Sequence, residues 1–334
     1  MTPLILGLSG PSLTENERAL LRDMQPAGYI LFARNIQDPA QLITLTTSLR
    51  DLSGREDVPI LIDQEGGRIQ RMDPPHWPQH PPAATFGAVW QTAPMTAIEA
   101  ARYHAIAIGQ ELRHIGISVD CLPLIDVPVA GAHDVIGDRA FGSEANMVAS
   151  LGAAVLTGLR EAGICGIIKH IPGHGRAEAD SHEALPVVSA RRDELEQDFE
   201  PFRKLAEAPM AMTAHVTYTA IDAARCASVS PVVVDAVIRQ EIGFKGLLMC
   251  DDLGMQALSG SLAERLSATL NAGCDVGLHC SGDFSEMQEL AEAAPEISPP
   301  ACERLTAAMA WPVQSPEILA EAAVRRDELL AAVT

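Results

Sequence analysis

Fourteen consecutive residues, KHIPGHGRAEADSH at 169–182, combine side chains that bind charged groups or transfer protons. The segment holds three histidines, a lysine, an arginine and two acids around a Pro-Gly pair. Neither a packed helix nor a buried strand favours this composition, because each polar group would have to be desolvated without a guaranteed partner. Three kinds of site fit the residue types: a metal centre, a phosphate-binding loop, or a site that transfers protons.

Two of these three sites fit the sequence poorly. A zinc centre built from the three histidines would be completed by Asp180 or Asp251. Barrel hydrolases that use divalent metals are expected to carry a His-x-His pair on the first strand, where this chain has Ser9. The phosphate-loop patterns GxxxxGK[ST] and GxGxxG are both absent. The segment therefore favours proton transfer, and we expect no metal and no cofactor.

Short apolar runs alternate with helical patterns along most of the chain. Uninterrupted apolar runs are typical of strands that are covered on both faces. The predicted strands are 4–8, 29–32, 60–62, 118–122, 165–168, 210–213, 247–250 and 275–278. The predicted helices are 14–24, 39–51, 96–115, 145–162, 192–207, 231–242 and 259–272, and the residues expected to end helices as glycine caps are Gly28, Gly116, Gly163, Gly243 and Gly273.

This regular order of strand, loop, helix and glycine predicts an α/β fold, a single (β/α)8 TIM-type barrel. An open, doubly wound parallel sheet is the structural alternative. One catalytic domain is expected to span residues 1–334, with helices after the last strand. A barrel of this kind commonly uses a chain of this length as one domain.

Composition narrows the classes of partner. The 334-residue chain has a formal net charge of −20 and a pI of about 4.8, which disfavours nucleic acid and anionic membranes. Its seven cysteines form no CxxC pair and are interpreted as reduced core residues. The N-terminus MTPLILGLSG does not have the pattern of a signal peptide. We therefore expect a cytoplasmic monomer that acts on a small molecule.

Ionisable residues follow the predicted strands at one end. They are Asp63, Arg71, Asp126, Arg139, Lys169, His170, His215, Asp251, Asp252 and His279. The carboxyl ends of the strands form the functional face of a (β/α)8 barrel. Carboxylates and cations bind sugar hydroxyls, because each hydroxyl both donates and accepts hydrogen bonds. A carboxylate on a rigid strand end also suits the nucleophile of a glycosidase.

Four segments carry a resemblance to a known family: IDQEGGRIQR (62–71), IGDRAFG (136–142), KHIPGHGRAEADSH (169–182) and CDDLGM (250–255). Their order and spacing resemble the signature blocks of glycoside hydrolase family 3, in particular its short bacterial β-N-acetylglucosaminidases of cell-wall recycling. The resemblance implies a retaining enzyme that removes terminal N-acetylglucosamine from 1,6-anhydromuropeptides. A saccharide or muropeptide would then be the partner.

The resemblance also implies a role for each matching residue. Asp251 would be the nucleophile, and His182 would be the general acid/base, oriented by Asp180. The residues expected to bind the N-acetylglucosamine ring are Asp63, Arg71, Arg139, Lys169 and His170. Chemistry agrees with the pairing of Asp180 and His182, because a carboxylate two residues away can fix the tautomer of an imidazole. Period-two alternation predicts that only one of Asp251 and Asp252 faces the barrel mouth.

Several alternatives remain open at this stage. Phosphate rather than water could accept the glycosyl group, the substrate could be a glucoside, or the barrel could bind sugar without catalysis.

The glycines of 171–175 predict a loop that moves His182 over the bound sugar. His174 is expected to organise that loop. Loop or surface positions are predicted for His76, His80, His104, His114 and His133.

Overall fold

Eight parallel strands form a closed barrel in which sequence neighbours pair and the last strand pairs with the first. The computed structural model describes residues 1–131, 136–177, 185–312 and 321–333. The barrel strands are β1 (Thr2–Gly7), β2 (Pro26–Leu31), β3 (Ile60–Ile62), β4 (Val119–Asp120), β5 (Cys165–Ile171), β6 (Met210–Thr213), β7 (Leu247–Asp252) and β8 (Val276–His279). Closure of the sheet confirms the predicted (β/α)8 barrel and excludes the open, doubly wound alternative.

The barrel strands are covered on both faces, which explains their continuous apolar runs. Every residue of β5 is buried. Three strands extend past the carboxyl ends of their predicted runs: β5 through Ile171, β7 through Asp252 and β8 through His279. Ionisable residues of the cavity described below are therefore part of the strands themselves, where the backbone is held by the barrel.

Helices surround the barrel. They are α1 (Glu15–Met24), α2 (Pro39–Ser53), α3 (Ala83–Trp90), α4 (Pro94–His114), α5 (Ala145–Ala162), α6 (Glu196–Lys204), the helix Val232–Glu241 with π-type hydrogen bonds, α7 (Leu262–Ala272), α8 (Phe284–Ala293), α9 (Pro299–Met309) and α10 (Ala322–Ala331). Asp38 caps α2 by accepting the Gln41 amide at 2.9 Å, as the Asp-Pro pair predicted. The sequence did not predict α3, and α6 is shorter than the predicted span 192–207. None of the helices in the described ranges has the length and apolarity needed to cross a bilayer.

Glycine follows four of the helices at the predicted positions. All four of these residues, Gly116, Gly163, Gly243 and Gly273, have positive φ. The prediction was wrong for Gly28, which lies within β2. Helix α1 is capped instead by Gln25, which follows Met24 and has a φ of 49°. Glycine is required at position 28 for a different reason: a Cβ there would lie 2.9 Å from the Pro59 carbonyl oxygen, where β2 packs beside the start of β3.

Two predicted surface histidines are buried. The exposed fractions of His80 and His104 are 1% and 3%, so the prediction was wrong for both. His80 belongs to the proline-rich stretch 72–82 and His104 to helix α4, and the two rings pack against each other at 5.6 Å, a contact that the sequence pattern of α4 did not indicate. His76 and His114 are exposed, as predicted, and His133 lies outside the described residues.

The seven cysteines are free. Five are buried, which agrees with their prediction as small core residues: Cys121, Cys165, Cys226, Cys250 and Cys274. Burial raises the pKa of Cys165, so its thiol stays protonated.

Candidate active site

The carboxyl ends of the barrel strands enclose a cavity of about 300 Å3. Its lining includes six predicted site residues, namely Asp63, Arg71, Arg139, Lys169, His170 and Asp251. The rest of the lining is Ile30, Phe32, Ile69, Ile136, His174, Met212, Asp252, Met255, Leu278 and Cys280. This volume lies at the small end of the range for ligand sites, roughly 300–1,000 Å3, and suits a single small ligand.

Two carboxylates and three cations form a connected ion network in the cavity wall. Lys169 Nζ lies 3.0 Å from Asp63 Oδ1 and 2.6 Å from Glu65 Oε1. Arg71 Nη2 donates to the other oxygen of Asp63 at 3.1 Å. Arg139 donates to Glu65 through Nε at 2.9 Å and Nη2 at 2.8 Å. Each carboxylate is held between two cations, which fixes the positions of all five side chains.

These charges stabilise one another inside the protein. Burial alone would raise the pKa of Asp63, but Lys169 and Arg71 reverse this effect and hold it well below its usual value. Burial also opposes ionisation of Glu65, and Lys169 and Arg139 lower its pKa to about 2. Burial would lower the pKa of Lys169, which Asp63 and Glu65 raise instead. The wall therefore presents fixed charges at neutral pH, and such groups form strong hydrogen bonds to hydroxyls.

Glu65 belongs to this network, although it was not among the predicted site residues. Its exposed fraction is 5%. It follows Asp63 by two residues, and alternate residues of an extended chain point to the same side. That spacing is the signal that would have identified Glu65. No comparable signal marks the apolar residues of the wall, such as Phe32 and Met212, because their types are common in every strand.

A buried carboxylate, Asp126, positions two histidines. It accepts His170 Nδ1 at 2.8 Å and the backbone amides of His170 and His174 at 3.1 and 2.7 Å. This leaves Nε2 of His170 as the ring nitrogen that can bind a ligand. Burial and the neighbouring His170 lower the pKa of His174 to about 4, so His174 is neutral at neutral pH. The bond from the His174 amide to Asp126 holds the loop backbone, which agrees with the expected role of His174. His174 also lines the cavity.

The two adjacent acids at the end of β7 both line the cavity, so the prediction that only one would face it was wrong. The pairing of β7 with β8 shifts register between Met249 and Asp252, and such an irregularity redirects side chains. Asp252 Oδ1 accepts the backbone amides of Gly254 and Cys280, both at 3.0 Å. Asp252 thus holds the loop after β7. Asp251 has an exposed fraction of 8% and also accepts the Asp252 amide at 2.8 Å.

Asp180 and His182 lie outside the described residues. The chain that leads to them begins at the cavity, because His174 lines it. Arg176 anchors this chain to the region of α6, donating to Asp198 at 2.6 Å and to the Glu194 carbonyl at 2.9 Å. A Cβ at Gly175 would lie 2.0 Å from the Val127 carbonyl oxygen. Glycine at this position therefore permits close packing, and the motion of the 173–182 loop remains a prediction.

Within the described ranges, no group of three or more histidine, cysteine, aspartate or glutamate side chains is arranged to hold a metal ion. Nδ1 of His170 is engaged by Asp126. The third histidine of the zinc alternative, His182, is not among the described residues.

Comparison with known proteins identifies the family. A model described as the glycosyl hydrolase family 3 N-terminal domain matches residues 5–307. The chain belongs to glycoside hydrolase family 3. This assignment confirms the resemblance of the four sequence blocks, and the protein is accordingly a glycoside hydrolase of the β-hexosaminidase type.

Relatives in family 3 match most of the chain. A β-hexosaminidase of Thiobacillus denitrificans is 38% identical over 325 residues, covering 95% of this chain and 89% of its own. A β-hexosaminidase of Nitrosomonas eutropha is 36% identical, covering 89% and 85%. The crystal structure of NagZ from Neisseria gonorrhoeae in complex with N-trifluoroacetyl-D-glucosamine has a TM-score of 0.88 and 30% identity, covering 100% of this chain and 98% of that one.

Glu65→Gln is expected to weaken both the fold and sugar binding. The amide keeps the shape of the side chain but no longer neutralises Lys169 and Arg139, and removing one partner from a buried ion pair costs about 3–5 kcal/mol. We expect the free energy of unfolding to fall by that order. We also expect KM for an aryl N-acetyl-β-D-glucosaminide to rise about tenfold, since the wall loses its alignment. Denaturant unfolding and steady-state kinetics measure the two effects.

The matched control for Glu65→Gln is Asp138→Asn. Asp138 pairs with Arg68 at 2.9 Å, but both side chains are 45% exposed, and exposed pairs contribute only about 0–1 kcal/mol. Equal effects of the two substitutions would show that the buried network has no special importance.

The contribution of Glu65 to stability is expected to depend on pH. Its pKa falls from about 4.3 in an unfolded chain to about 2 in the folded protein. A lowered carboxylate pKa stabilises the fold fully above the unfolded value, and this stabilisation is lost as pH falls toward the folded value. The difference in unfolding free energy between the wild type and Glu65→Gln should be constant from pH 8 to about pH 5 and shrink below about pH 4. A difference that does not change with pH in denaturant titrations would contradict the assignment.

Proposed function

We propose that this protein is a retaining exo-β-N-acetylglucosaminidase that removes terminal N-acetylglucosamine from 1,6-anhydromuropeptides in the cytoplasm. It would act as a monomer, without a metal or cofactor. The observation that carries the proposal is Asp251, a carboxylate at the rigid end of β7 within a cavity whose wall of fixed charges can hold one sugar ring.

Asp251 is the proposed nucleophile. Its carboxylate oxygen attacks the anomeric carbon, the glycosidic bond breaks, and a covalent glycosyl-enzyme forms. His182 donates a proton to the departing oxygen in this step. In the second step His182 removes a proton from water, which attacks the same carbon and releases Asp251. Two inversions leave the sugar in its original β configuration.

Asp180 is proposed to orient His182 and to stabilise its charged form. His182 follows the last described residue of this loop, Ala177, by five positions, and five residues of chain span at most about 17 Å. The start of this loop at the cavity wall, where His174 lies, supports the proposal that His182 serves this cavity.

The charged wall supports the choice of sugar. Asp63, Arg71, Arg139, Lys169 and His170 are the proposed ligands of the ring hydroxyls and the acetamido group. The Neisseria protein of the same fold was crystallised with an N-acylated glucosamine. That similarity favours N-acetylglucosamine over glucose in the cavity. The anhydromuropeptide aglycone rests on the family resemblance.

A panel of aryl glycosides tests the proposal. We expect the aryl N-acetyl-β-D-glucosaminide to be hydrolysed far faster than the β-D-glucoside, with β-N-acetylglucosamine as the first product in proton NMR. The same rate is expected after chelation. Faster turnover of the glucoside would overturn the sugar assignment, an initial α product would overturn retention, and a sugar phosphate formed in phosphate buffer would overturn water as the acceptor.

A further inference from the structure

A buried contact joins the last helix of the chain to the proline-rich stretch 72–82. Arg326 of α10 has an exposed fraction of 5%, and its Nη1 lies 2.9 Å from Nδ1 of His80. His80 itself is 1% exposed. A buried arginine normally has a charged partner, and Arg326 Nε donates to Asp327 Oδ1 at 2.8 Å, which leaves Nη1 for His80. The contact spans 246 residues of sequence and lies outside the cavity.

The chemistry of the contact fixes the state of His80. A guanidinium has only donors, so Nδ1 of His80 must be the acceptor and carry no proton. The other ring nitrogen, Nε2, lies 3.1 Å from Glu111 Oε2 on helix α4 and donates to that carboxylate. His80 is therefore neutral, with its proton on Nε2. The His104 ring packs edge-on at 5.6 Å, and together these groups define one orientation of the His80 ring.

The backbone of His80 is bonded to the hairpin that follows β3. This hairpin pairs Gln64–Gly66 with Ile69–Gln70. The His80 amide donates to Gln70 Oε1 at 3.0 Å, and the His80 carbonyl accepts the Gly67 amide at 2.9 Å. Two bonds from one residue thus hold the turn of the hairpin and its second strand.

The hairpin in turn carries residues of the cavity wall. Glu65 lies within it and binds Lys169 and Arg139, and Arg71 follows it and binds Asp63. The packing beneath the hairpin is tight, since a Cβ at Gly66 would lie 2.4 Å from the Pro81 carbonyl oxygen. A shift of the 78–82 segment would therefore be transmitted to the hairpin rather than absorbed by a gap.

We propose that Arg326 is a positioning residue for the sugar-binding wall. Acting through His80, it holds the 78–82 segment, and thereby the hairpin, in the place where Glu65 and Arg71 complete the ion network. Helix α10 thus contributes to ligand binding without contacting the ligand. The identity of that ligand rests on the proposed function, whereas the mechanical coupling does not.

The neighbouring residue supplies a matched control. Arg325 lies on the same helix, is 46% exposed, and forms ion pairs with Glu99 and Glu328. Arg325→Met removes the same charge from α10 as Arg326→Met does. A difference in KM between the two variants therefore reports the buried position and contact of Arg326 rather than the loss of a positive charge from the helix.

Steady-state kinetics on an aryl N-acetyl-β-D-glucosaminide test the proposal. We expect Arg326→Met to raise KM about tenfold with a smaller change in kcat, because a displaced wall weakens binding of the ring. Arg326→Lys, which keeps a donor and a charge, should recover most of this loss, and Arg325→Met should leave KM unchanged. A partly unfolded preparation lowers the active fraction but not KM. An unchanged KM in Arg326→Met, or the same rise in Arg325→Met, would overturn the proposal.

A second measurement does not depend on turnover. In protein labelled with 15N-histidine, His80, assigned by its loss in His80→Gln, should show an unprotonated Nδ1 and a protonated Nε2. Arg326→Met should alter this signature, and Arg325→Met should not. A charged His80, or one protonated on Nδ1, would overturn the inference even if the enzyme is active. If the wild type failed to hydrolyse the glucosaminide while the signature behaved as expected, the proposed function alone would fail.

Discussion

Asp251→Ala is expected to reduce kcat on an aryl N-acetyl-β-D-glucosaminide about 10,000-fold or more, which corresponds to roughly 5.5 kcal/mol of activation free energy. The reason is that no covalent glycosyl-enzyme can form without the carboxylate. Substrate should still bind, because the ion pairs of Lys169 with Asp63 and Glu65 do not involve the Asp251 carboxylate. Stopped assays with high enzyme concentration measure the residual rate.

Two controls make this result specific. Asp252→Asn keeps the oxygen that accepts the amides of Gly254 and Cys280, so its loss should stay below about tenfold. Sodium azide should partly restore Asp251→Ala by attacking from the vacated side, and a single inversion would give the α-glycosyl azide. Near-normal turnover of Asp251→Ala, or a larger loss in Asp252→Asn, would show that the nucleophile has been assigned to the wrong acid.

His182→Ala is expected to lower kcat/KM about 100- to 10,000-fold for substrates with poor leaving groups, the range usual for loss of a general acid. A dinitrophenyl leaving group needs no proton, so its kcat/KM should fall less than about tenfold. Comparison of the two substrates measures the contribution of the proton directly. With the dinitrophenyl substrate, hydrolysis of the glycosyl-enzyme should become rate-limiting, because His182 is also the proposed base for that step.

Azide distinguishes His182 from Asp251. In His182→Ala the covalent intermediate still forms, so azide attacks it and yields the β-glycosyl azide after two inversions. Asp180→Asn should reproduce the leaving-group dependence of His182→Ala with a smaller loss, because the imidazole remains but its charged form is less stabilised. An equal loss of kcat/KM for both leaving groups in His182→Ala would contradict a role as the acid.

The sequence predicted the barrel because its signals are local. An apolar run reports burial of both faces of a strand, and the residues around each helix start and end report the backbone conformation there, as Asp38 and Gly163 illustrate. The exceptions have tertiary causes. Gly28 resembles a helix cap in sequence, but it is a contact point between β2 and the residue before β3. Strand β5 continues past its apolar run because its charged residues, Lys169 and His170, find buried partners in Asp63 and Asp126.

The composition of the cavity was also largely predictable. Six selected residues line it, since the carboxyl ends of parallel strands meet at one end of a barrel whatever their distance in sequence. Glu65 was missed although its spacing from Asp63 carried a signal. The inward position of both Asp251 and Asp252 could not be predicted, because it depends on the register shift between β7 and β8.

Residue types and their order along the chain were sufficient to determine the barrel, the end that carries the site, and the family. Both the strand repeat and the signature blocks are properties of neighbouring residues. Only the tertiary structure decided which charges share a carboxylate, why His80 is buried, and that Arg326 meets it from the other end of the chain. Those outcomes depend on distances between segments far apart in sequence, and packing in three dimensions sets such distances.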